Sequence, residues 1–270
     1  MNKVSQPFFL PTASGQRFCL FHAPAPGASP RGVVVYAHPF AEEMNKARRM
    51  ASLQARALAE QGFGVLQIDL YGCGDSAGEL AQARWHNWTQ DLECACGHAL
   101  TRARRPLILW GLRLGALLAL DFATEAARPI DALLLWQPVI SGEAHLRQFL
   151  RLQNTARLVS PGAAQAPDTE NATQAGGYTI SQALRADLDA LDATRMTPPC
   201  SVSWIEHPGP SGRELPPASV NLIGHWIKAG ITVDSLLAPG LQFWSTGEQT
   251  ENLAFIAATR TCLALQGQRS

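Results

Sequence analysis

The chain has 270 residues, of which 46% are hydrophobic and 16% charged, a balance that excludes disorder and is ample for a sizeable core. Its 22 basic residues equal its 22 acidic ones, so no net field draws it to nucleic acid or to an anionic membrane surface. The beginning of the chain has no sustained apolar run, and no later stretch reaches the roughly 18 apolar residues a membrane helix needs. A cytoplasmic protein is therefore expected. Six cysteines, at positions 19, 73, 94, 96, 200 and 262, form neither a dense framework nor a C-x-x-C pair, which predicts reduced thiols and neither disulfides nor a metal site.

Two short strands are expected first, at residues 7–10 and 17–21. The β-branched run at 32–38 reads as a buried strand, and a loop, HPFAEEMNK, follows it. Met50, Leu53 and Ala57 give residues 47–61 one apolar helical face, stopped by Gly62. Further strands are expected at 63–70, 106–111, 132–138, 200–206 and 231–238, with helical stretches between them. This alternation builds a mostly parallel sheet covered by helices on both faces.

Residues 142–197 break the rhythm with a polar stretch and an expected helix at 181–191. Such an excursion reads as a lid or cap on a single domain spanning 1–270.

The segment WGLRLGA at 110–116 lies directly between a strand and a helix whose Leu114, Leu117, Leu118 and Phe122 share a face. Small residues around a sharp strand-to-helix turn are the signature of the nucleophile elbow of an α/β-hydrolase fold, the fold class expected here. The central residue of this elbow is Arg113, which stays protonated and cannot act as a nucleophile. A G-x-S-x-G string does occur around Ser76, but several residues beyond the end of its strand. The loop after the last strand, where the triad base belongs, has no histidine; the last histidine, His225, falls upstream in a helical segment.

Three residues remain as catalytic candidates. Glu206 ends a strand where a triad acid would sit, with a salt-bridge partner or a solvated loop residue as its alternatives. His38 occupies the place of the segment that shapes an oxyanion hole in many esterases, or is a loop histidine bonded to backbone. Ser76 is the third. Arg113 could instead clamp an anion through its planar fork beside a helix N-terminus, with Leu114 and Phe40 lining the same site.

Several segments together resemble the exosortase A system-associated hydrolases of the second type, a bacterial family related to serine aminopeptidase-like α/β-hydrolases. They are HPFAEEMNKARRMA at 38–51, DLYGCGDSAG at 69–78, WGLRLGALLAL at 110–120, GYTIS at 177–181 and PGLQFW at 239–244. The resemblance implies a setting among exopolysaccharide production and protein sorting at the envelope. In related active hydrolases the last segment carries a histidine, so the resemblance places Gln242 where the base would be.

Three functions follow as expectations, none needing a cofactor. One is a binding protein for a small anionic or acylated ligand, and another an atypical hydrolase or acyl-transfer enzyme using His38 or a carboxylate to activate water. The third is a scaffold that engages a protein partner through the lid. An Arg113 held bidentately by Glu206 or another acid would indicate a structural plug; an unpaired guanidinium in an open pocket would indicate a ligand.

Overall fold

The computed structural model describes residues 5–159, 172–209, 212–246 and 250–269. Ten strands and seven helices run in the order β1 (Ser5–Thr12), β2 (Gly15–His22), β3 (Gly32–Ala37), α1 (Glu42–Glu60), β4 (Phe63–Ile68), α2 (Trp85–Arg102), β5 (Leu107–Leu112), α3 (Leu114–Glu125), β6 (Ala132–Trp136), α4 (Gly142–Val159), β7 (Ala172–Ala175), β8 (Tyr178–Ser181), α5 (Gln182–Asp189), β9 (Ser201–Glu206), α6 (Pro217–Lys228), β10 (Val233–Leu237) and α7 (Leu253–Arg269) among the described residues.

Eight strands form one sheet in the order β1-β2-β4-β3-β5-β6-β9-β10. The β1–β2 hairpin joins β4 antiparallel, and every other pairing is parallel. β3, β5 and β6 are buried along their whole length, as expected of central strands with helices on both faces. Alternate residues of the same strands feed two cores. Val33, Val35, Leu109 and Leu135 pack under α2, α3 and α6, while Val34, Tyr36, Trp110 and Trp136 pack under α1 and α7.

The sheet expected from the sequence is the one observed, with two differences of extent. Helix α1 starts at Glu42, five residues ahead of the expected start: Glu42 and Glu43 form its first turn, where carboxylates face the positive end of the helix dipole. The excursion at 142–197 is also more regular than a polar loop. It holds the helix α4, whose Leu146 and Phe149 are buried, and the β7–β8 hairpin ahead of α5. Of the polar stretch expected at 160–178, residues 160–171 lie outside the described residues and β7 takes up 172–175.

Polar contacts tie this excursion to the N-terminal ends of α1 and α2. The Tyr178 hydroxyl donates to Glu42 Oε2 at 3.1 Å, and Asp187 accepts Nε and Nη2 of Arg84 at 2.6 and 2.8 Å. The described helices include none long and apolar enough to cross a membrane.

Candidate functional site

Arg113 stands between β5 and α3 with φ 57° and ψ −120°, a left-handed conformation that side chains other than glycine rarely hold. The strain is over-determined by its surroundings. The Arg113 N–H donates to Trp136 O at 3.0 Å, and its carbonyl accepts from Ala116 N at 3.0 Å. The flanking glycines are required: a Cβ on Gly111 would strike Ala116 Cα, and one on Gly115 would strike the carbonyl oxygen of Ala37. The turn thus has the backbone of a nucleophile elbow with a guanidinium at its tip.

That guanidinium is paired. Nε and Nη2 of Arg113 donate to Glu43 Oε1 at 3.2 and 3.1 Å, and Nε also approaches Oε2 at 3.4 Å. The two side chains are only 15% and 17% exposed. Nη2 also lies 3.4 Å from Nδ1 of His145, on α4, and the guanidinium carbon is 5.9 Å from the centre of the Trp244 ring. Residues from α1, the elbow, α4 and the last loop therefore converge on one charge pair. Burial pushes the Glu43 carboxyl above its ordinary range, with Arg113 pulling the other way. Burial, then the neighbouring Arg113 charge, holds His145 down at about 3.

The backbone amides of Phe40 and Leu114 flank this cluster, and neither makes a hydrogen bond among the described residues. Leu114 N–H is a free donor because it opens a helix.

His38 is buried with both ring nitrogens engaged. Nδ1 donates to Pro39 O at 2.7 Å, and Nε2 accepts from Leu70 N at 3.1 Å. Burial lowers its pKa. It serves as a clamp between two loops, with no lone pair left for a substrate or water.

Ser76 is similarly occupied: its hydroxyl donates to Asp69 O and accepts from Phe18 N at 2.8 Å. It knits the β2 edge to the loop after β4, and it makes no hydrogen bond to a histidine.

Glu206 is neither an ion-pair partner nor a solvated residue. It is 3% exposed and accepts from Trp204 Nε1 at 2.8 Å and Gln137 Nε2 at 3.2 Å. Burial raises its pKa, against the Ser219 and Trp204 hydrogen bonds. Gln137, at φ 43°, also accepts from the His207 amide at 2.8 Å.

Gln242 is exposed, while the neighbouring Phe243 and Trp244 are buried. The imidazole nearest to its loop is that of His207, with Nε2 2.8 Å from Gly240 O and Nδ1 2.9 Å from Pro208 O.

Sequence reasoning passed over Glu43, His145 and His207. Glu43 meets Arg113 across 70 positions, a distance no local pattern spans. His145 carried a signal, since it stands in the first turn of an amphipathic run beside Leu146 and Phe149.

Comparison with known proteins agrees with this fold. The human protein ABHD12B is 32% identical over 132 residues, 47% of this chain and 34% of that protein; the chain spans about a third of its length. A thermostable carboxyl esterase from Bacillus coagulans has the same fold, with a TM-score of 0.66 at 12% identity over 98% of this chain and 99% of that one. Est1E from Butyrivibrio proteoclasticus, in a complex with ferulic acid, has a TM-score of 0.64 at 15% identity, covering 95% and 98%. The family model of the serine aminopeptidases, S33, matches residues 28–206, and the chain belongs to that family.

Proposed function

We propose that this chain is a non-hydrolytic member of its family, one that keeps the fold and the strained elbow but acts by binding. The observation that carries the reading is the Arg113–Glu43 ion pair at the elbow. An acyl-enzyme route needs a nucleophile within reach of a base, and this position offers a cation already neutralised by a carboxylate. A different base finds little support: His38 has no free nitrogen, and the Ser76 hydroxyl is held by backbone.

The occupant of the binding surface is proposed to be a protein partner, met through the lid at residues 142–197. The pairing of Arg113 favours a plug over an open clamp, and α4 and β8 are fastened above it through His145 and Tyr178. The resemblance of the first and third motifs to exosortase-associated hydrolases supports a partner from an exopolysaccharide- and export-related setting, and the proposed location is the cytoplasm.

The test is a fluorophosphonate probe together with a panel of acyl esters and thioesters at neutral pH. No stoichiometric labelling and no turnover above that of an Arg113→Leu variant are expected. Labelling of any serine with matching ester turnover would overturn the reading.

A second reading, a small anionic or acylated ligand at the elbow, is favoured by the residual exposure of the ion pair and by the unpaired amides of Phe40 and Leu114. Octanoate titrated into the protein distinguishes the two. Binding that disappears in Arg113→Leu supports this second reading, and equal behaviour of both proteins removes it.

A further inference from the structure

On the sheet face that carries α1, the helical cover stops short of β2. A cavity of about 240 Å³ lies there between α1, β2 and β4, smaller than the roughly 300–1,000 Å³ of sites for drug-sized molecules. Met44, Arg48 and Ser52 reach it from α1 at spacings of four residues, one helical stripe.

One wall is apolar, formed by Phe18, Leu20 and Met44, with the Ile68 side chain turned to the opposite core; Tyr36, Arg48, Ser52, Gln67 and Asp69 supply polar groups, and Gln67 Oε1 lies 3.1 Å from His22 Nε2. Tyr36 is only 4% exposed, yet its hydroxyl makes no hydrogen bond among the described residues. The hydroxyl is open to the cavity rather than sealed by protein, so a molecule that enters the cavity can reach it. The Ser52 hydroxyl is also unpartnered there. Arg48 spends only Nη2, on Asp69 Oδ2 at 2.9 Å and on the sulfur of Met44, so Nε and Nη1 remain available. Asp69 Oδ2 also accepts from Asp75 N, and Oδ1 has no partner among the described residues. His38 lines the cavity too, but its nitrogens are both used.

The polar side therefore both donates and accepts, and its charges oppose each other. An anion drawn to Arg48 would meet Asp69, and a cation drawn to Asp69 would meet Arg48. A neutral hydroxyl satisfies both without an uncompensated charge. We propose that this cavity is a second ligand site, separate from the elbow, for a small neutral molecule with a hydroxyl on an apolar body, of the size of a phenol or aryl alcohol. The apolar body lies against Phe18, Leu20 and Met44, and the hydroxyl is shared by Tyr36, Ser52 and the Arg48–Asp69 pair.

The experiment titrates benzyl alcohol, benzoate and benzylamine separately into the full chain and follows backbone amides by NMR. Benzyl alcohol is expected to shift the amides of Phe18, Leu20 and Ser52 more strongly than either charged probe. Tyr36→Phe, which removes an oxygen with no protein partner, should keep the fold and weaken binding roughly three- to tenfold. Ser52→Leu, which fills the cavity, should abolish binding, and Arg113→Leu should leave the affinity unchanged. Tighter binding of benzoate or benzylamine would overturn the ligand class. No shift with any probe, or equal affinity for benzyl alcohol in wild type and Tyr36→Phe, would overturn the site.

Discussion

Nδ1 of His145 sits 3.4 Å from Nη2 of Arg113, and this contact decides which nitrogen of the ring carries the proton. A guanidinium has only donors, so Nδ1 accepts and the proton is on Nε2. That atom is buried with no partner. The imidazole is thus held neutral between a cation and an apolar wall that includes Phe40, whose ring centre is 6.4 Å away.

A pH dependence of stability follows. His145 is held at about 3 in the fold against about 6.5 in the unfolded chain. Between those values the unfolded state takes up a proton that the folded state refuses, so stability is full above about pH 6.5 and is lost as pH falls. Glu43, with its folded value raised, works in the opposite sense, favouring the fold at low pH. Lowering the pH from 7.5 to 5 should therefore cost wild type about 2 kcal/mol more than His145→Phe, read from urea unfolding at both pH values. Parallel losses in the two proteins would sink the assignment.

The ion pair makes a second prediction. Its side chains are mostly but not fully buried, so the cost of breaking it falls between the roughly 0–1 kcal/mol of exposed pairs and the 3–5 kcal/mol of buried ones. Glu43→Gln should lose about 1–2 kcal/mol of stability, because it leaves Arg113 without a counter-charge. The double variant Glu43→Leu with Arg113→Met should recover most of that loss, measured by the same urea transitions. A double variant less stable than Glu43→Gln would show that the pair does more than neutralise itself.

Ser76 supplies a third. Its hydroxyl is the acceptor for Phe18 N and a donor to Asp69 O, so Ser76→Ala leaves a strand amide without a partner. The expected loss is about 1–3 kcal/mol, visible as a lowered urea midpoint. A midpoint unchanged from wild type would show that the hydroxyl does not tie this edge of the sheet.

The fold was legible in the sequence because its signals are local. Runs such as VVVYA and LILW are long enough to mark buried strands, and Gly111 and Gly115 mark the elbow by the contacts that any larger residue would make. The excursion at 142–197 was less legible. α4 mixes polar and apolar residues about equally, and its start is marked by Ser141, whose hydroxyl accepts from Ala144 N at 3.2 Å, and by Glu143 in its first turn. The chemistry of the site was partly legible: an arginine in place of a nucleophile can be read directly, but its partner cannot. Glu43 sits in a stretch whose charge resembles a solvated loop, and only the packing of α1 against β4 turns it toward the elbow.

The last prediction concerns Arg113→Ser, which puts a hydroxyl on the strained turn and tests whether the elbow alone decides activity. Little or no esterase activity is expected from it. A serine hydroxyl is a weak nucleophile until a base takes its proton, and the residue that the resemblance places at the base position, Gln242, cannot accept one at neutral pH. The substitution also leaves Glu43 without its cation, in a place where burial already raises its pKa, so the carboxyl is driven further toward its protonated form and away from use as a base. Arg113→Ser with Gln242→His should therefore exceed the single variant in kcat/KM on an activated ester. The gain should be limited, because Glu206, the acid that would orient the new histidine, is already occupied by Trp204 and Gln137. Unpaired amides such as those of Phe40 and Leu114 can retain roughly a thousand-fold over water without any base, so single and double variants must be compared with each other, with Glu206→Gln in the double background as the control. If the single variant matches the double one, position 242 is not where the missing base belongs.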